Sequence, residues 1–558
     1  MSVTPTRPPA SARPSAAPVV RRLVVYTILF VLVVLVANGA ADLLNRLFEL
    51  AAGTEVVASG TAGLAISLTF TLIGGPLAVV LGVFAWRRLA DPPERDSLAW
   101  ALYLVGIVTV ALVVAGTALL TAAADAVTGD EVTRAMATGV VWALVWAAHR
   151  FVLRRSDRRP GRLPGTAAVL GGVFGLVLGT GGAVRALTIL GDTAILGAAD
   201  AMVGDPWWVG ALQALVWAVG GCVLWWWHWR HEGGYRADTP LAAVALVGVG
   251  ILGGCLLTLV GTGTTLFVLL RLLVDRTDPV PELLTPLAPA ISAAVVGGLV
   301  WVFHRGVLRG RAAAVQGAGT LATSGIALVA TATGIGVVVN ALLATLTTPL
   351  AGADPRTLLL GGISSVVVGA PLWWFAWRPL TARDPQRRRA TGRTVYLVVV
   401  FGISAVVALV TLLVIGFRLF DTLLSGDAGL LDRIRAPLGL LVATGLVAGY
   451  HFGVWRADRV AVAGSEPATA GSAAVTDTAA GPAIDRVVLV MGPGGDPVVA
   501  HLRALTGAHV DYWRRTDAAA ALPSPAQVVD ALQGVSGERV VLVVGGDGSV
   551  TAIPVADS

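Results

Sequence analysis

Two sets of residues in this chain have the types and spacing to do chemistry. Near its C-terminal end the β-branched run Arg539–Val544 opens into Gly545-Gly546-Asp547-Gly548-Ser549. A strand that ends in glycines lets backbone amides approach a phosphate, which makes Gly545, Gly546, Asp547 and Gly548 candidate cofactor-binding residues. An Asp-Gly pair between two β-like runs is also an ordinary hairpin turn, and Thr551 to Val555 reads as the second strand, so a turn is the expectation. Gly492-Pro493-Gly494-Gly495 reads in the same way as a tight strand-to-helix turn, with Asp496 as the helix cap. The second set is His149, His228, His304 and His451, whose imidazoles at one membrane depth would suit a metal site or a proton relay.

The spacing around the histidines argues against metal. Six apolar stretches end on a bulky residue, two spacers, then Trp or His followed by Arg: Trp86-Arg87, His149-Arg150, Trp229-Arg230, His304-Arg305, Trp377-Arg378 and Trp455-Arg456. The copies recur about every 60 to 80 residues, the mark of an internal repeat. Sister copies put Trp where others have His, and Trp cannot ligate a metal. The twelve residues therefore read as interfacial anchors, because Trp and His rings suit the headgroup layer and Arg sits just outside the hydrocarbon. No metal, no cofactor and no catalytic residue is expected.

Composition sets the solvent. A mean hydropathy of +0.79, with 56% hydrophobic and only 13% charged residues, belongs to a polytopic membrane protein and not to a soluble domain. The net charge of +6 comes from arginines clustered beside apolar segments, which points to topology and lipid headgroups, with no nucleic-acid partner. Cys222 and Cys255 both lie in apolar stretches, which leaves no disulfide framework and no cysteine zinc site.

Apolar segments follow one another in pairs, near 22–50 and 61–86, 98–124 and 132–153, 164–191 and 207–229, 240–274 and 284–306, 318–347 and 357–380, and 392–424 and 436–455. Each is long enough to cross a hydrocarbon core of about 30 Å. The fold class is thus an all-α polytopic membrane protein of about twelve transmembrane helices in six tandem hairpins, plus a small C-terminal cytoplasmic α/β domain. Residues 1–20 read as a disordered N-tail. The repeats span 21–92, 97–160, 163–236, 239–311, 317–389 and 391–457, within a membrane region 21–457. A flexible linker at 458–484 leads to the α/β domain at 485–558. Loops between pairs are rich in arginine, as at Arg150 to Arg162, while loops within pairs carry acids such as Asp192, Asp200 and Asp205. The positive-inside bias places both termini in the cytoplasm of a multi-pass protein of the bacterial plasma membrane. Gly171, Gly175 and Gly179 form two G-x-x-x-G steps that let helices approach closely, and Pro76 and Pro371 should kink second helices.

The repeat resembles a bacterial, mainly actinobacterial, tandem-repeat transmembrane family, domain of unknown function 5671. The likeness rests on the Arg/Tyr start of first helices, Arg22 with Tyr26 and Arg393 with Tyr396, and on the ending Pro371-Leu372-Trp373-Trp374-Phe375-Ala376-Trp377-Arg378. It covers about residues 20 to 457, and the third pair, whose first helix lacks the Tyr, departs from it. The resemblance implies no activity. The string at Gly545 resembles the glycine-rich motif of the diacylglycerol kinase and NAD kinase superfamily, although there the glycines open a helix. The reading of function is a non-enzymatic structural, scaffold or sensor-like membrane bundle, with membrane lipids and a protein for its C-terminal domain as partners. The alternatives are a small-solute transporter or channel, and a nucleotide- or lipid-binding enzyme acting through the C-terminal glycines.

Overall fold

In a computed structural model of the chain, residues 16–53, 61–197, 205–347, 354–380, 391–426, 429–463, 484–515, 523–532, 539–545 and 547–555 are described. Asp200 and Gly546 fall outside them. Twelve helices are long and apolar enough to cross a membrane. They are α1 Ala17–Ala51, α2 Thr61–Arg88, α3 Leu98–Thr128, α4 Thr133–Arg154, α5 Thr166–Leu196, α6 Trp207–His231, α7 Pro240–Val274, α8 Val280–Leu308, α9 Ala313–Ala344, α10 Pro355–Trp377, α11 Gly392–Ser425 and α12 Leu430–Arg459. The protein is a membrane-embedded, multi-pass helical protein.

Local chemistry sets the helix ends. The Ser97 hydroxyl accepts from Trp100 N at 3.3 Å and starts α3, and Gly129, at φ +81°, stops it. Pro76 follows a π-helical turn at Thr69–Ile73, which absorbs the missing donor within α2. Helix already runs from Ala16, so part of the expected N-tail is structured; α12 continues past 457 into the expected linker, whose residues 464–483 are outside the description.

Successive helices pair as hairpins, and the pairs are joined by one rule. The second helix of each pair packs on the first helix of the pair before it: α4 on α1, α6 on α3, α8 on α5, α10 on α7 and α12 on α9. Among the described residues, extensive contacts link only pairs adjacent in sequence. The hairpins thus form an open row, like a repeat protein whose units touch only their neighbours. A closed ring, which would be needed to gather the histidines, is not formed.

Glycines close the first five hairpins. A Cβ at Gly175 would lie 2.2 Å from Trp225 N, so only glycine lets α5 sit this close to α6. Gly182 on Ala218 and Gly221 on Gly179 continue the same seam. Of the cysteines, Cys255 is buried and Cys222 is exposed.

The described residues from 484 to 555 belong to a separate compact unit. Strands β1 Arg486–Met491, β2 His509–Arg514, β3 Arg539–Val544 and β4 Val550–Val555 make one open sheet in the order β2-β1-β3-β4. β1 is parallel to β2 and β3, and β4 is antiparallel to β3. Helices α13 Asp496–Thr506 and α14 Pro525–Leu532 supply the crossovers. Alternate residues of β1 and β3, among them Val487, Leu489, Val540 and Leu542, form its core.

Candidate functional site

The expected anchors divide on inspection. Arg87, Arg230, Arg378 and Arg456 are exposed, and Trp86 and Trp455 are half-buried. Arg158 lies over the Trp86 ring at 5.0 Å and Arg459 over Trp455 at 4.8 Å. His304 and Trp377, by contrast, are 3% and 0% exposed, which leaves no surface to meet headgroups. Trp377 Nε1 donates to the Tyr450 hydroxyl at 2.7 Å, and Arg305 lies against Trp301 and Phe375. These side chains face neighbouring helices: in these copies the repeated position is a joint between hairpins.

The four histidines share one backbone bond. Nδ1 of His149, His228, His304 and His451 meets the carbonyl four residues back, that of Val145, Leu224, Val300 and Val447, at 2.7 to 2.9 Å. The fate of Nε2 differs. In His149 it meets the Tyr103 hydroxyl at 3.0 Å. In His451 it is buried with no partner. His228 turns its ring to a cavity, and among the described residues nothing bonds its Nε2. No group of three or more His, Cys, Asp or Glu among the described residues could hold a metal ion.

That cavity, of about 560 Å³, lies at the arginine-rich end of the row, between the second and third hairpins. Arg150, Arg154 and Arg159 line it, and Glu232 is the only carboxylate that does. Glu232 Oε1 takes Arg150 at 2.5 Å and Arg154 at 3.0 Å. The Arg150 guanidinium is held between the rings of Trp146 and Trp227, at 5.2 and 5.3 Å. His228 and Glu232 are placed by a π-helical turn, Trp227–His231, closed by Glu232 N on Trp227 O at 2.9 Å. The opposite wall is the start of α5. Its cap is Gly165, at φ +70°, which offers no side-chain bond. Leu163, also lining the cavity, has φ +56°, the one positive φ of a non-glycine among the described residues.

A second cavity, of about 460 Å³, opens at the other end of the same helices and is lined by Asp125, Arg185 and Gln213. Between the two, some 9 residues of α5 and 13 of α3 make about 14 to 20 Å of helix. Phe174, Leu224 and Leu120 pack there against Gly116 and Gly220.

In the C-terminal unit the glycines after β3 form the expected hairpin turn. Gly545 N donates to Ser549 O at 2.8 Å, and Gly548, at φ +83°, donates to Gly545 O at 3.1 Å. Asp547 Oδ1 accepts from Ser549 N at 3.0 Å and from its hydroxyl at 2.6 Å, which holds the carboxyl below its usual range. These amides are spent on the turn. After β1 the helix cap is Gly495, and Asp496, the expected cap, makes no such bond. The Tyr512 ring lies where a Gly495 Cβ would go.

Stacked apolar hairpins define the class, a repeat-built integral membrane protein. Residues 22–148 and 318–446 each match the family model described as a domain of unknown function, DUF5671. The two matches together cover somewhat less than half of the chain, and each corresponds to two hairpins, the first and second pairs or the fifth and sixth. The third and fourth pairs, with half of the arginine-lined cavity, lie between the matches. No curated protein and no solved structure matches the chain.

Proposed function

We propose that this protein is a non-enzymatic, sensor-like membrane platform of the bacterial plasma membrane, with both termini and the α/β unit in the cytoplasm. The observation that carries this reading is the open row of hairpins: among the described residues, units that pack extensively only on their chain neighbours enclose no lumen common to the row, and glycine-tight seams fill the mid-levels of the first five hairpins, while a mostly apolar cavity of about 460 Å³ lies between the fifth and sixth. Arginines of the between-pair loops support the orientation. The tail's exposed Trp513, on edge strand β2, is a side chain that a protein partner would cover.

Transport is the rival, favoured by the two cavities at opposite ends of α3, α5 and α6. Single cysteines decide between them in a protein with Cys222 and Cys255 replaced by alanine. A water-soluble, impermeant thiol reagent should reach Arg159→Cys from the cytoplasmic side and Arg185→Cys from the other, and Phe174→Cys from neither. Labelling at Phe174→Cys would reveal a water path and sink the platform reading. Ser156→Cys and Asp205→Cys test the orientation: in intact cells only the second should react.

A further inference from the structure

We propose that the cavity between the second and third hairpins binds a phosphate group, carried by a lipid headgroup or by a soluble compound. The proposal goes beyond the platform reading and does not depend on it, since a transporter could hold the same ligand.

Charge comes first. Three arginines against one glutamate line the cavity, which leaves two positive charges in excess. Arg159 is exposed and has no carboxylate partner among the described residues. Arg150 is fixed by two indole rings, so its donors are already oriented before a ligand arrives.

The opposite wall adds donors. Ala167 and Ala168, at the start of the 31-residue α5, line the cavity, and no acceptor meets their N–H groups. An uncapped helix start attracts an anion through these free donors and the helix dipole. His228, only 4% exposed, supplies an independent sign, since its ring lines the cavity with Nε2 unbonded. An imidazole nitrogen that no protein group engages is available to a ligand oxygen.

The same joint one hairpin along shows what a filled site looks like. Between the third and fourth hairpins the cavity shrinks to about 30 Å³. Arg311 reaches in and donates to the carbonyls of Tyr235 and Ala237, at 2.7 Å each. The start of α7 is capped by Thr239, which accepts from Ala242 N at 3.2 Å, and Pro240 removes a donor. Every feature that satisfies that joint from within is missing at the first.

Full-length protein in neutral detergent is titrated with inorganic phosphate, and the protein in nanodiscs is tested for retention of phosphatidylglycerol against phosphatidylcholine. Wild type should bind in at least one arm. Arg150→Ala with Arg154→Ala should weaken binding about tenfold or more, as expected for lost charge-assisted bonds. Arg305→Ala, the same repeat position at another joint, should leave it unchanged. Should the double variant fail to fold, Arg159→Ala and His228→Gln decide, each with an expected loss of about threefold. Saturation by phosphate assigns a soluble phosphorylated compound; selective lipid retention alone assigns a headgroup. Absence of binding in both arms, or affinity indifferent to Arg159→Ala and His228→Gln together, overturns the proposal.

Discussion

The joint between hairpins two and three and the joint between hairpins three and four are built from the same repeat, yet one is open and the other is sealed. His228 and His304 occupy matching places, one residue out of register with the repeat signature that had set Trp229 beside His304, and each is pressed on a glycine of a first helix, Gly171 or Gly250. What differs is the surroundings. The open joint has Arg150 where Trp229 fills the sealed one, and Gly165 stands before its helix where Thr239 and Pro240 begin the other. A repeat can therefore keep its packing element fixed and vary function at the rim, where substitutions disturb fewer contacts.

The largest effect should come from the helix shared by both joints. Gly175→Leu would drive a side chain into the backbone of Trp225, and thermal unfolding in detergent should show a loss of about 3 kcal/mol or failure to fold. Next, His304→Trp should cost about 2 kcal/mol, because the ring already lies where a Gly250 Cβ would go and the sealed joint leaves only about 30 Å³ beside it. His228→Trp, with a cavity beside it, should cost less. Equal losses for the two histidine variants would erase the distinction between the joints.

Arg311→Ala unseals the closed joint by orphaning two carbonyls, and should cost about 1.5 to 2 kcal/mol. Arg154→Ala, whose side chain is 46% exposed, should cost under about 1 kcal/mol. Thr239→Ala removes the cap of α7 and should cost about 1 kcal/mol without changing phosphate binding at the other joint.

The smallest effect concerns pH. Asp275, just beyond α7, is buried, which by itself would raise its carboxyl; hydrogen bonds from Thr277 and Thr357, each 2.9 Å, and the charge of Arg271 outweigh this and hold it below its ordinary 3.8. A lowered folded value means stability that is present above 3.8 and lost as pH falls through the lowered value. Unfolding measured below about pH 4 should be less pH-sensitive in Asp275→Asn than in wild type, and an unchanged slope would remove Asp275 from the account.

Much of the fold was legible in the residues themselves. Apolar runs long enough to span a bilayer, arginines between them and a signature returning at Arg87, Arg150, Arg230, Arg305, Arg378 and Arg456 fix twelve helices as six pairs, since hydropathy and spacing are local properties. The Asp547-Gly548 turn was legible for the same reason, because the backbone angle of a turn is set by its own residues. The candidate site was not. Sequence drew attention to His304 and Trp377 as surface anchors, and to Arg150 only as one of that set, because Trp, His and Arg suit an interface as well as a joint. Whether such a side chain meets lipid or another helix depends on which faces pack together. That was decided only when α6 came to rest on α3, bringing His228 and Glu232 to Arg150 across some 80 residues of chain and leaving the start of α5 uncapped beside them.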